Sequence, residues 1–265
     1  MPDHEEIALQ ARRLLGSAMA SFGFREWRLL ARLLHPGEPI DAMAYGMLPG
    51  RWVGGRRLLV ATPFRLLLVA KGLLTGHEHV RELAWDALSD VAVELPWRLA
   101  LVLPDERIEL TFVQPPRQLA GIADRVRARL DPARATAPTA DEVLDQGRRK
   151  LGRMTASALE ANLIALAGLL GPGETVLELV FVTSGERTGL LAASSRRLVF
   201  VPSRGLGVGE AVEQPYASIV ACELTEDGTM VVGTAGRAEL RVEAANPVER
   251  ALNVAEITRA RMTGQ

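Results

Sequence analysis

The chain has 265 residues, 48% of them hydrophobic and 24% charged, with 31 basic side chains set against 32 acidic ones. Such a composition excludes a disordered tail and supplies no global field for nucleic acid. The length suits one large or two small domains, and the single Cys222 cannot form an internal disulfide. The opening MPDHEEIALQARR is acidic and lacks an apolar core, and no stretch approaches the roughly 18 uncharged apolar residues of a membrane span. These features predict a cytoplasmic protein with neither signal peptide nor transmembrane helix.

In chain order, Glu5 to Leu34 has apolar residues at helical spacing and predicts a helical region that Pro36-Gly37 stops. Seven strand-like segments follow: Ile40 to Leu48, Arg57 to Thr62, Arg65 to Lys71, Val80 to Ala84, Val91 to Leu95, Arg98 to Leu103 and Arg107 to Phe112. Pro49-Gly50, Gly54-Gly55 and Pro104-Asp105 supply turns between them. In the last strand, alternation sets Ile108, Leu110 and Phe112 on one face and Arg107, Glu109 and Thr111 on the other. A closing helix starts at Gln114-Pro115, with a capping side chain and a proline in the first turn, and carries Leu119, Ile122, Ala123, Val126 and Leu130 on one stripe.

The order then repeats. EEIALQARRLLG from Glu5 aligns with DEVLDQGRRKLG from Asp141, and LARLLHPGE with LAGLLGPGE, which sets Pro36-Gly37-Glu38 over Pro172-Gly173-Glu174. LLVATPFRLLLV from Leu58 meets LLAASSRRLVFV from Leu190, so that Arg65 falls on Arg197. ERIELTF from Glu106 meets GRAELRV from Gly236, and the closing helices correspond from Gln114 and Asn246. In the second copy Thr139 and Glu142 predict a capping box, and Leu159, Leu163, Leu166 and Leu170 share a stripe. The division predicted is residues 1–135, with strands and closing helix in 36–132, and residues 136–265, with the equivalent part in 172–263.

Seven antiparallel strands closed by an amphipathic helix, the L-x-PGE opening, the LLVATPFRLLLV strand pair, and an aromatic followed three positions on by an apolar residue (Trp85 with Leu88, Tyr216 with Ile219) resemble the bacterial pleckstrin-homology-like (PH-like) domains, relatives of the GRAM and PH superfold. The resemblance implies an α+β chain of two tandem PH-like seven-stranded barrels, each preceded by a helical segment and capped by a C-terminal helix. It also implies binding or assembly rather than catalysis, with a protein partner or self-association. The superfold is poorly specific for function, since it hosts lipid binders, adaptors and oligomerisation modules alike. The prefixes before each barrel have no counterpart in the resemblance. Trp27 sits on an amphipathic prefix helix that docks on its own barrel or on another protein.

Catalytic chemistry has little support in the residues. His4, His35, His77 and His79 have no counterparts in the other copy and no ligand spacing that closes a metal site. Cys222 aligns with Val91 and reads as a buried small hydrophobe. Gly205 to Gly209 lacks the spacing, lysine and following helix of a phosphate loop and reads as a strand connection. No cofactor is expected. Arg65 and Arg197, each just after a tight turn, predict a turn-stabilising hydrogen bond or ion pair.

One basic cluster stands out. Arg51, Arg56 and Arg57 surround Trp52 in the first hairpin, with Lys71 on the following strand, and in lipid-binding relatives this loop holds the head-group site. These five residues are the candidate site, for a partner or for an anionic membrane surface at its inner face. Residues 1–135 carry 18 basic and 16 acidic side chains, residues 136–265 carry 13 and 16, and all four tryptophans lie in the first copy. One copy is therefore expected to contact a partner while the other supports it.

Overall fold

Ile7, Ala11 and Leu15, spaced to share one face, produce α1 (His4–Leu15), with Glu5 and Glu6 at its positive end and Arg12 and Arg13 at its negative end. The second prefix helix is α2 (Phe24–Leu33). The computed structural model describes residues 4–16, 24–49, 55–71, 77–95, 98–132, 136–205, 207–225, 227–236, 239–244 and 248–263. It divides into two compact units, residues 1–135 and 136–265.

In unit one the prefix leads into β1 (Ala42–Met47), β2 (Arg56–Ala61), β3 (Arg65–Lys71), β4 (Glu78–Ala84), β5 (Asp90–Leu95), β6 (Arg98–Leu103) and β7 (Glu106–Gln114), then α3 (Pro116–Leu130). The strands form one antiparallel sheet in the order β4-β3-β2-β1-β7-β6-β5, so the ladder is open between β4 and β5. Helix α3 packs on β1, β5 and β7 and on the 3-10 turn Trp85–Ala87 that joins β4 to β5. Pro115 occupies its N-cap without a side-chain cap bond and Pro116 its first turn, so the expected capping role of Gln114 is not realised.

The continuous apolar runs of β1 to β3 are explained by burial on both faces. Ala42, Ala44, Leu59, Ala61, Leu66 and Leu68 turn toward α3 and join the core with Leu99, Leu101, Leu110 and Ile122. Met43, Tyr45, Leu58, Val60, Leu67 and Val69 point the other way and are covered by Ile7, Ala11, Trp27, Leu30 and Leu34. The prefix is thus a second layer over the sheet. Trp27 is buried within it, its ring centroid 6.3 Å from that of Tyr45, so it docks on its own unit.

Strand β7 departs from strict alternation. Opposite Tyr45 lies Gln114 but opposite Met47 lies Thr111, which places one extra residue in β7. Phe112 takes φ 52° there and is 60% exposed, while Val113 turns into the core. The bulge overturns the expectation that Phe112 shares the buried face of Ile108 and Leu110.

Unit two opens with α4 (Ala140–Leu151), α5 (Arg153–Ala158) and α6 (Glu160–Leu169). The expected capping box is present: Glu142 N–H donates to the Thr139 hydroxyl and Thr139 N–H to the Glu142 carboxylate. Gly152, at φ 80°, breaks the helical region, because a side chain resists that conformation. Strands β8 (Val176–Ser184), β9 (Arg187–Ser194), β10 (Arg197–Arg204), β11 (Gly207–Val208), β12 (Val212–Pro215), β13 (Ile219–Leu224), β14 (Thr229–Thr234) and β15 (Leu240–Ala244) precede α7 (Val248–Met262). The order is β11-β10-β9-β8-β15-β14-β13, with β12 also on β10. This repeats unit one with its fourth strand broken in two. Helices α4 and α6 lie on β8 and β10 as the prefix does in unit one.

Candidate functional site

The repeated Pro-Gly-Glu and the repeated arginine meet in space. Arg65 Nε and Nη2 donate to the two Glu38 oxygens at 3.0 and 2.7 Å, Nη1 donates to Glu82 at 2.7 Å, and Nη2 also donates to the Leu33 carbonyl at the end of α2. In unit two Arg197 repeats each contact, to Glu174 at 3.0 and 2.8 Å, to Glu213, and to the Leu169 carbonyl. Burial raises the Glu38 pKa, but hydrogen bonds from Arg65 and from the His35 N–H outweigh it and hold the carboxyl at about 2. The same opposition keeps Glu174 below the usual range. These triads tie the helical layer to the sheet, which realises the ion-pair expectation for both arginines. A second repeated bond fixes the turn: Trp85 Nε1 donates to the Thr62 carbonyl, and the Tyr216 hydroxyl to the Ser194 carbonyl.

Of the five candidate residues, Arg51 and Trp52 lie outside the described residues, and Lys71 is described by its backbone, at the end of β3. Arg56 lays its guanidinium 4.1 Å from the Tyr45 ring centroid and 3.8 Å from Glu26. Arg57 is buried, and its Nη1 donates to the Arg56 carbonyl at 2.9 Å. Both are thus engaged within unit one.

Arg57 also lines a groove of about 710 Å³ that runs along β4. Leu48, Leu68 and Ile108 contribute apolar surface to the groove, Glu78 to Arg81 line it from the strand, and Glu106 to Glu109 line it from β7. Its size falls in the range of roughly 300–1,000 Å³ usual for ligand pockets. Alternation fixes what β4 shows: Leu83 joins the core, so Arg81 and His79 share its face, while Glu78, Val80 and Glu82 face the side that bears α2. Arg81 donates through both Nη atoms to Glu106, Arg107 donates to Glu109, and Arg32 of α2 donates to Glu78. The Glu106 hydrogen bonds hold the Arg81 pKa above its ordinary value.

Strand β4 ends its sheet, and no other strand pairs with its free edge among the described residues. The sequence carries the signal for this edge in Glu-His-Val-Arg-Glu, a strand polar on both faces. In unit two the edge is defended. Phe200 pairs with Val212 and Ser203 with Val208, so Gly209, Glu210 and Ala211 stand where unit one has His79 and Val80. One extra residue and Pro202 opposite it break the ladder. The Gly-rich stretch expected as a plain connection thus forms β11 and this break. At the far end of the sheet, Arg259 Nε donates to the Cys222 carbonyl of β13. The Cys222 thiol is buried against α7, as the packing reading expects, and burial pushes its pKa up.

Among the described residues no group of three His, Cys, Asp or Glu side chains converges to hold a metal ion, and no helix is long and apolar enough to cross a membrane. A family model, Bacterial PH domain, matches residues 34–127. No curated protein matches the chain. The matched segment runs from the end of α2 through the seven strands into α3, so the helical layer falls largely before it. PH-like domains generally mediate interactions with proteins or lipids, and the second sheet repeats the strand order of the first. Residues 34–127 match the bacterial PH domain family, and the second sheet, in repeating the strand order of the first, gives the chain the fold of two tandem PH-like units.

Proposed function

We propose that the chain is a non-enzymatic, cytoplasmic binding or scaffolding protein that takes an extended segment of another protein along β4, with the domain of residues 136–265 as the supporting copy. The observation that carries this reading is the difference between the two fourth strands. In unit one the strand is continuous over seven residues, Glu78–Ala84, and opens beside a groove, whereas in unit two the break at Gly209–Ala211 protects the edge. Proteins that have no use for a sheet edge blunt it, and one unit has done so. A photo-crosslinking residue placed at Val80 and, as control, at Ala211 tests the reading in living cells. Discrete protein adducts at position 80 and none at 211 are expected. Absence of adducts at 80, or equal yields at both, overturns it.

The competing reading, an anionic membrane surface held by Arg51, Trp52, Arg56, Arg57 and Lys71, draws support from that basic composition alone. An anionic head group would compete with Glu26 for Arg56 and with the backbone for Arg57. Flotation with anionic vesicles at physiological salt, abolished by Arg51→Glu, Arg56→Glu and Arg57→Glu together, would replace the protein-binding reading.

A further inference from the structure

We infer that the core of unit two binds an ordered water molecule between Gln214 of β12 and Thr234 of β14. Gln214 is 2% exposed and Thr234 7%, and neither Gln214 Oε1 nor the Thr234 hydroxyl has a hydrogen-bond partner among the described residues. Both side chains point inward. Gln214 stands opposite Leu198 and Thr234 opposite Ile219, and residues directly opposite in a ladder share a face. Leu198 and Ile219 belong to the core that Val254 and Ala255 of α7 close. Only Pro215 and the 3-10 turn Tyr216–Ser218 separate Gln214 from Ile219, so the two polar groups enter this core at one corner. A buried polar group left without a partner forfeits its hydration and gains nothing in return.

Unit one builds the same corner from apolar residues. Leu83, opposite Leu66, takes the place of Gln214, and Leu103 takes that of Thr234, because Val91 pairs with Leu101 as Cys222 pairs with Val232. Both leucines pack in one cluster, and Arg81, two residues before Leu83, bonds Glu106, the cross-strand partner of Leu103. The two positions are therefore neighbours in the fold, and the fold itself does not require polarity at either. With Gln214 and Thr234 the corner demands a ligand. An amide oxygen only accepts, whereas a hydroxyl donates or accepts, and neither carries charge, so the chemistry selects a neutral molecule that donates to one and bonds the other. Water meets both demands, and buried waters make two to four such bonds.

A high-resolution crystal structure of the full chain is expected to show one water within about 3.2 Å of both Gln214 Oε1 and Thr234 Oγ1. A direct bond between the two side chains, a group larger than water, or no density between them overturns the inference. In solution, Gln214→Met and Thr234→Val keep the shape of each side chain and remove its polar atom, and amide hydrogen exchange of β9 and β10 in the full chain reads the opening of unit two. With a bridging water, each single variant strips the water of one partner and strands the other group. Protection is then expected to fall about fivefold in each single variant and to recover toward the parent in the double variant. Two independent orphan groups give the opposite sign, each removal raising protection and the two gains multiplying. Single variants at or above the parent therefore overturn the bridge.

Discussion

Arg65 reaches back 27 positions to close two hydrogen bonds on Glu38, and Arg197 does the same over 23 positions to Glu174. In both units the arginine follows the tight turn between the second and third strands, and the glutamate follows the Pro-Gly that ends the helical layer. Glu38 has no exposed side-chain surface and Arg65 little, so removing one partner strands a buried charge. Arg65→Met is expected to cost unit one about 3–5 kcal/mol, and the double variant Glu38→Gln, Arg65→Met to recover part of it. All four tryptophans lie in unit one, so fluorescence-monitored denaturation reports on it. A loss below about 1 kcal/mol would show that the pair is not a clamp.

The same pair sets an acid limit. The Glu38 pKa is about 2 in the folded unit against an ordinary 4.5. A carboxyl depressed by folding stabilises above its unfolded pKa and loses that contribution as pH falls toward the folded one. Glu38→Gln is therefore expected to be less stable than the parent at pH 7, by about 3 kcal/mol on the linkage relation. The two should converge between pH 4.5 and about 2. Denaturation midpoints of both proteins across that range check it, and a gap independent of pH refutes it.

The repeat made much of this architecture readable. Two opposite charges, each repeated in register, announce a pair when the elements between them are strands, and the Glu38–Arg65 and Glu174–Arg197 bonds are that pair. The role of the prefix was also latent in the residues. Leu58-Leu59-Val60-Ala61 and Leu66-Leu67-Leu68-Val69 have no polar face, so something must cover the outside of β2 and β3. The groove was less legible, because Arg81 and Glu106 are 25 positions apart and neither ion-pair partner is repeated in the second copy. Hairpin composition by itself points to Arg56 and Arg57 instead. Their partners, Glu26 and the Arg56 carbonyl, depend on the packing of α2 and on rotamers that spacing does not encode.

Strict alternation cannot reveal the bulge at Phe112. The left-handed conformation costs an ordinary residue about 1–2 kcal/mol and glycine almost nothing. The ring is 60% exposed, so its removal sacrifices little burial. Phe112→Gly is therefore expected to be at least as stable as the parent and about 1 kcal/mol more stable than Phe112→Ala. Urea denaturation of the three proteins decides it. An alanine variant equal to or better than the glycine variant would mean that the bulge relaxes without cost.

Gly147 reverses the usual rule for glycine in a helix. It lies within α4, where replacement by alanine ordinarily adds about 0.5–1 kcal/mol of stability. Here a Cβ would come within 2.5 Å of Leu163 Cδ1 and 2.9 Å of Cδ2, and Leu163 is fully buried on α6. The two helices meet at van der Waals distance because position 147 has no side chain. Gly147→Ala is therefore expected to destabilise unit two by about 1–3 kcal/mol, the usual cost of overpacking. The double variant Gly147→Ala, Leu163→Ala separates clash from propensity. Leu163→Ala alone opens a cavity costing about 2–5 kcal/mol, and the added Cβ at position 147 then occupies part of it. In the Leu163→Ala background the Gly147→Ala change should accordingly turn from destabilising to stabilising, as read by differential scanning calorimetry. The same sign in both backgrounds would place the constraint on Gly147 elsewhere than in its contact with Leu163.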